Sequence, residues 1–203
     1  MFDVLERAID ETADGWFRIE RAVTEGDNMV LTIALYQDVW GNLVRTQKHW
    51  ELDCVGVQKM RLCLMDEFRY IEILDDHPAL FNYTKPLFDV SVPRSVYTNA
   101  EMTGKFIEGI QGLLEPYFAG DFIADFVPDY REPLQPGEED DYIQLIQGPQ
   151  EIVDIVKRVY APYADLLRIV NACRYYSDTG KERLMKMGTC HVIAADFTLR
   201  TTD

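Results

Sequence analysis

Along the first three-quarters of the chain the spacing of apolar residues changes period twice. Phe2, Leu5, Ile9 and Thr12, flanked by Val4, Ala8 and Ala13, recur at helical spacing and predict a short amphipathic helix closed by Gly15. Over 16–74 the period becomes two. β-Branched and aromatic runs are interrupted there at Glu25-Gly26-Asp27-Asn28, Trp40-Gly41-Asn42, Gly56 and Asp66-Glu67. This pattern predicts an antiparallel meander of about five strands. A two-residue turn at Asp66-Glu67 would set Met65 against Phe68, Cys63 against Tyr70 and Arg61 against Glu72, with Met60, Leu62, Leu64, Ile71 and Ile73 on one face. Asp-Glu is not a favoured pair for such a turn, since neither residue takes positive φ as easily as Gly or Asn.

Residues 75–98 are interrupted by Pro78, Pro86 and Pro93, which exclude a long helix and leave 87–92 as an edge strand. Asn99 then opens a helix. Its stripe is Met102, Phe106, Ile110, Leu113 and Tyr117, widened by Ile107, Leu114 and Phe118 and closed by Gly120. Gly104, Gly109 and Gly112 inside it each cost about 1 kcal/mol relative to Ala, which implies a close backbone approach. Over 121–141 eight acids face the single base Arg131 among Pro128, Pro133, Pro136 and Gly137, the composition of a surface loop. After it, 142–147 alternates as a strand and Gly148-Pro149 starts a helix. Ile152, Val156, Val159, Tyr163, Leu166 and Val170 form one stripe across a break at Pro162. A last strand at 189–199 would return to the N-terminal sheet. The fold class expected is therefore α+β. An antiparallel β-meander in the N-terminal half packs with amphipathic helices mainly from the C-terminal half, in a single domain over 1–203 whose one candidate sub-boundary is the acidic loop 128–141.

Composition narrows the function classes. The chain has 203 residues with 47% apolar and 12% aromatic residues, ample for a sizeable core. Its 35 acids and 20 bases leave a net charge of −15, which disfavours nucleic acid and anionic lipid and suits solubility or a basic partner. Cys54, Cys63, Cys173 and Cys190 are dispersed and form no C-x-x-C pair, as expected of reduced thiols in the cytoplasm. The N-terminus carries acids where a signal peptide carries bases, and no apolar run approaches a membrane span.

Chemical motifs are sparse. No glycines fall in a G-x-G-x-x-G or P-loop arrangement, and Ser91, Ser95 and Ser177 lie in no G-x-S-x-G elbow. No cofactor and no metal are expected. The densest polar cluster is Asp75, Asp76 and His77 before Pro78, where an imidazole oriented by a carboxylate could act as a base; the structural alternative is a capped turn with a solvated histidine. His49, Glu51 and Asp53 alternate with Trp50, Leu52 and Cys54, which places the polar groups on one strand face, as any half-buried strand does. Cys190-His191 are poor joint ligands, because consecutive strand residues face opposite sides. Glu138, Glu139, Asp140, Asp141 and the adjoining Tyr142 form a candidate binding surface for a positively charged protein, and they lack the order of an EF-hand.

In acidity, size and mixed α+β character the chain is similar to bacterial immunity proteins, a likeness that transfers no site residue. The reading that follows is a non-enzymatic protein-binding module, an immunity-type inhibitor of a basic partner. The alternatives are a hydrolase-like enzyme with a carboxylate and histidine centre near Asp76 and His77, and a structural subunit of a larger assembly. The balance leans away from an enzyme.

Overall fold

Two tight turns, Gly26-Asp27 and Trp40-Gly41, fold the N-terminal alternation into a meander, because each is closed by a directly opposed pair, Glu25 with Asn28 and Val39 with Asn42. The computed structural model describes residues 2–64, 66–93, 96, 100–114, 142–172 and 181–201. In chain order it contains α1 (Asp3–Asp10), β1 (Gly15–Glu25), β2 (Asn28–Val39), β3 (Asn42–Arg61), β4 (Glu67–Phe68) and β5 (Glu72–Leu74). There follow α2 (Phe81–Thr84), β6 (Phe88–Pro93), α3 (Ala100–Leu113), β7 (Tyr142–Gly148), α4 (Gln150–Val159), β8 (Arg168–Asn171), β9 (Arg183–Met187) and β10 (Cys190–Thr201), with 3-10 turns at Pro78–Leu80 and Ala161–Leu166. The architecture is mostly antiparallel sheet with helices. It divides into two compact units, Met1–Leu80 with Lys181–Asp203, and Phe81–Gly180. The candidate sub-boundary at 128–141 lies outside the described residues.

The first unit holds a seven-stranded sheet in the order β4-β1-β2-β3-β10-β9-β5. Alternation sends Met29, Leu31, Ile33 and Leu35 of β2 and Trp50, Leu52 and Cys54 of β3 to one face, where they join Phe17, Ile19, Met185, Val192 and Phe197 in one core. Leu5 and Ala8 of α1 complete it. Each large side chain buried in this way contributes about 1.5–3 kcal/mol. The expected last strand does return: β10 runs antiparallel to β3 from Thr201 opposite Trp50 to His191 opposite Arg61.

Three local expectations are corrected in this unit. Gly56 does not break β3, which runs for 20 residues. Instead it takes φ +64° as the strand outruns the β1–β2 turn, and its N–H donates to Asn28 Oδ1 at 3.0 Å. The Asp66-Glu67 hairpin does not form. Arg61 pairs with His191, Glu72 with Lys186, and Glu67–Phe68 with β1, whose Phe17 ring lies 5.8 Å from that of Phe68. A poor turn pair thus loses to the aromatic contact and to the edges offered by β1 and β9. Finally, the left-handed residue after α1 is Asp14, φ +50°, and Gly15 already belongs to β1.

The second unit carries a three-stranded sheet in the order β7-β6-β8. The segment expected as an edge strand is its centre, because Pro86 and Pro93 bracket the strand rather than interrupt its hydrogen bonding. Pro149 stands just before α4, and its carbonyl accepts from the N–H groups of Ile152 and Val153. The buried face is Ile152, Val153, Ile155, Val156 and Tyr160. The stripe does not continue. The helix ends at Val159, and Tyr163, Leu166 and Val170 are exposed, since Pro162 brings no N–H to carry the helix on. Met102, Phe106, Ile110 and Leu114 of the α3 stripe are buried as expected, whereas its continuation to Tyr117, Phe118 and Gly120 lies outside the described residues. Of the three glycines only Gly109 is tightly approached: a Cβ there would stand 2.6 Å from Ile155 Cγ2 of α4. The described helix lining the seven-stranded sheet is thus the N-terminal α1, while α3 and α4 belong to the second unit.

Candidate functional site

The β2–β3 turn is built from two left-handed residues, Trp40 at φ +59° and Gly41 at φ +81°. That pair of signs matches the twist of the flanking strands, which is why hairpins favour Asn-Gly here. Asp38 Oδ1 accepts from the Gly41 N–H at 2.7 Å and pins the turn. Gly41 meets the requirement without cost, but Trp40 does not, because its Cβ crowds the following carbonyl. The indole gains no packing in return: Trp40 is 97% exposed, with Val39 and Val44 beside it also exposed. A large, rigid ring held out on a pinned turn is suited to fill an apolar pocket on another protein.

Behind this tip Arg45 grips Glu20 with two hydrogen bonds, Nε to Oε1 at 2.5 Å and Nη2 to Oε2 at 2.9 Å. The Tyr36 hydroxyl donates to the same carboxylate at 2.8 Å. The Arg45 hydrogen bond is the main reason the Glu20 carboxyl is held below its ordinary value, partial burial opposing it. Partial burial, followed by the Glu20 acceptor, raises the Tyr36 phenol. Further along β3, Glu51 and Asp53 share Arg200 of β10, at 3.5 and 2.6 Å. His49 Nδ1 lies 3.1 Å from the Gln47 carbonyl. Their neighbours Trp50, Leu52 and Cys54 are buried, as the alternation predicts. Burial, aided by the Asp53 charge, pushes the Cys54 thiol up to about 12, so it is inert at neutral pH.

The other sequence candidates are placed as follows. Asp75 Oδ1 accepts from Arg183 Nε at 2.6 Å across the edge of the sheet, and Asp76 is exposed. His77 Nδ1 accepts from the Ala79 N–H at 3.1 Å, and its carbonyl accepts from the Leu80 N–H at 2.8 Å, so this residue caps the 3-10 turn. The chain matches no family model, no curated protein and no solved structure. Site assignment therefore rests on geometry alone.

Glu72, Lys186 and His191 form one row across β5, β9 and β10, and His77 lies five residues beyond it, so this register does not bring the two imidazoles together. Cys190 sits in the core and His191 is buried between Lys186 and Arg61 in the ladder. Among the described residues no cluster of three or more His, Cys, Asp or Glu side chains could hold a metal. Two open clefts, about 370 Å³ beside Val4, Arg7, Lys48 and Trp50 and about 730 Å³ beside Glu108, Gly109, Ile155 and Arg158, are not lined by Asp75, Asp76 or His77. Tyr142 opens β7 with the Arg168 guanidinium 3.4 Å over its ring, whereas Glu138, Glu139, Asp140 and Asp141 lie outside the described residues. Trp40 was visible in the sequence only as part of a turn signal. The clue that it matters is its identity, since Trp is a poor choice for a turn position that favours Asn or Gly.

Proposed function

We propose that the protein is a non-enzymatic binding module of the cytoplasm, an immunity-type inhibitor of a basic protein, with Trp40 as the apolar anchor of its contact. The observation that carries this reading is a nearly fully exposed indole held in an unfavourable backbone conformation. Conformational cost without packing gain is characteristic of positions that serve a contact outside the folded chain. The net charge of −15 would steer a basic partner toward it and repel acidic competitors. The Glu138, Glu139, Asp140, Asp141 and Tyr142 stretch is a separate, charge-led candidate surface for the same class of basic partner.

The test is affinity capture from native lysate at low and then moderate salt, with wild-type and Trp40→Ala baits run in parallel. The reading expects one basic protein in stoichiometric amount, its capture weakened by salt. Loss of the indole should then weaken the purified pair by about thirty-fold, the effect of a hot spot of about 2 kcal/mol. Equal binding by the Trp40→Ala bait would remove the anchor from the reading, and no partner at any salt would sink the reading itself.

A further inference from the structure

We propose that Cys63 and Cys190 form an oxidant-responsive thiol pair, closed to a disulfide by hydrogen peroxide or another small peroxide, which ties the end of β3 to the start of β10. The two residues are 127 positions apart in sequence, yet the Cys190 sulfur sits against the Cys63 backbone. It accepts from the Cys63 N–H at 3.1 Å and donates to the Cys63 carbonyl at 3.5 Å. The reason is topological. His191 is paired with Arg61, so Cys190 faces the point at which the chain leaves β3, and the backbone there folds over the sulfur.

With the Cys190 sulfur already within hydrogen-bonding distance of the Cys63 main chain, closure requires the Cys63 side chain to turn toward it. A disulfide asks for an S–S separation of about 2.05 Å and Cα atoms roughly 4.4–6.8 Å apart. Both cysteines are reduced, one exposed and one buried, which is the arrangement of an attacking and a resolving thiol. Burial, above all, pushes the Cys190 thiol up, so the exposed Cys63 sulfur meets oxidant first.

The chemistry balances in two steps. The Cys63 thiol loses its proton, the thiolate attacks one peroxide oxygen, the O–O bond breaks, and the departing hydroxide takes up that proton, leaving Cys63 sulfenic acid and water. The Cys190 sulfur then attacks the sulfenic sulfur, the S–S bond forms, the S–O bond breaks, and the Cys190 proton leaves with the hydroxide as a second water. Two thiols are oxidised and one hydrogen peroxide is reduced to two waters, or an organic hydroperoxide to its alcohol and one water. Cys54, buried and held protonated, serves as the internal thiol that does not react.

The test treats the full chain with a slight excess of hydrogen peroxide, blocks remaining thiols with N-ethylmaleimide under denaturing conditions, and maps the peptides by mass spectrometry. The pair predicts a Cys63–Cys190 linked peptide that dithiothreitol releases, with Cys54 recovered as the blocked thiol. The Cys190→Ala chain should instead accumulate Cys63 sulfenic acid that dimedone traps, while Cys63→Ser should leave Cys190 reduced. The proposal is overturned if Cys63 is oxidised while Cys190 is recovered as a thiol in the wild-type chain, if Cys63 links to Cys54, Cys173 or a second chain, or if both thiols survive the oxidant.

Discussion

Trp40 and Glu20 show how differently single residues can relate to the fold that holds them. At Trp40 the left-handed backbone costs roughly 1 kcal/mol that an asparagine would largely avoid. Trp40→Asn should therefore unfold at a higher urea concentration, by about 1 kcal/mol, while losing partner binding. A variant less stable than wild type would mean that the indole supports the hairpin. Glu20 is the opposite case, a side chain whose partner lies within the fold. Its carboxyl is depressed mainly by Arg45, so the contribution is fully present above the ordinary value of 4.5 and is lost as pH falls through the lower folded value. Arg45→Ala should cost under about 1 kcal/mol at pH 7, because the pair is partly solvated, and the gap to wild type should close on acidification. Urea titrations at several pH values would show this, and a gap that widens in acid would contradict it. Turn residues were legible at this scale, since Gly26 and Gly41 announce themselves by type. The exposure of Trp40 was not, because a turn signal specifies a backbone conformation and says nothing about whether the side chain finds a neighbour.

Among the elements, α3 and α4 meet at a glycine that helix propensity alone would reject. Gly109→Ala gains about 1 kcal/mol of helix propensity but drives a methyl into Ile155, an overpacking cost of roughly 1–3 kcal/mol, so net destabilisation is expected. Gly104→Ala meets no described atom within 4 Å and should stabilise by up to about 1 kcal/mol. Chemical denaturation of the two variants side by side checks the contrast, and a stabilised Gly109→Ala would show that Ile155 yields readily. The alternating runs of β1, β2, β3 and β10 were legible because each buries one face, and period two then follows from the pleat. The fates of β4, β5 and β6 were not. β4 and β5, of two and three residues, hold too little pattern to choose a partner, and the prolines flanking the six residues of β6 suggested an edge; in each case the partner is set by neighbours that only the assembled sheet brings close. The break at Pro162 was legible from its missing N–H, whereas the periodic stripe wrongly suggested that the apolar face continues beyond it, where Tyr163, Leu166 and Val170 are exposed.

For the whole molecule the dominant electrostatic quantity is the charge of −15, spread over a chain of 203 residues. Self-repulsion of this size opposes folding, whereas the exposed ion pairs such as Lys48–Glu11 are each worth well under about 1 kcal/mol. Raising ionic strength from about 0.01 to 0.15 M shortens the screening length from roughly 30 to 8 Å and weakens the repulsion more than the pairs. The melting temperature should accordingly rise by a few degrees, measurable by calorimetry at the two salt concentrations. A fall would mean that the ion pairs carry more than their exposure suggests. Acidity was the most legible property of all, being a count. The division into two compact units was not, because the helices of 81–180 and the strands around them satisfy the same local rules whether they cover one sheet or build a second.

The pairing of β3 with β10 also has a consequence in time. A ribosome delivers β3 long before β10, and the whole of 81–180 is made in between. At about 5–20 residues per second the inner edge of β3 waits on the order of ten seconds for its permanent neighbour. During that interval a long row of unsatisfied amide and carbonyl groups is offered to any passing strand, so the nascent chain is the form of this protein with most need of a chaperone.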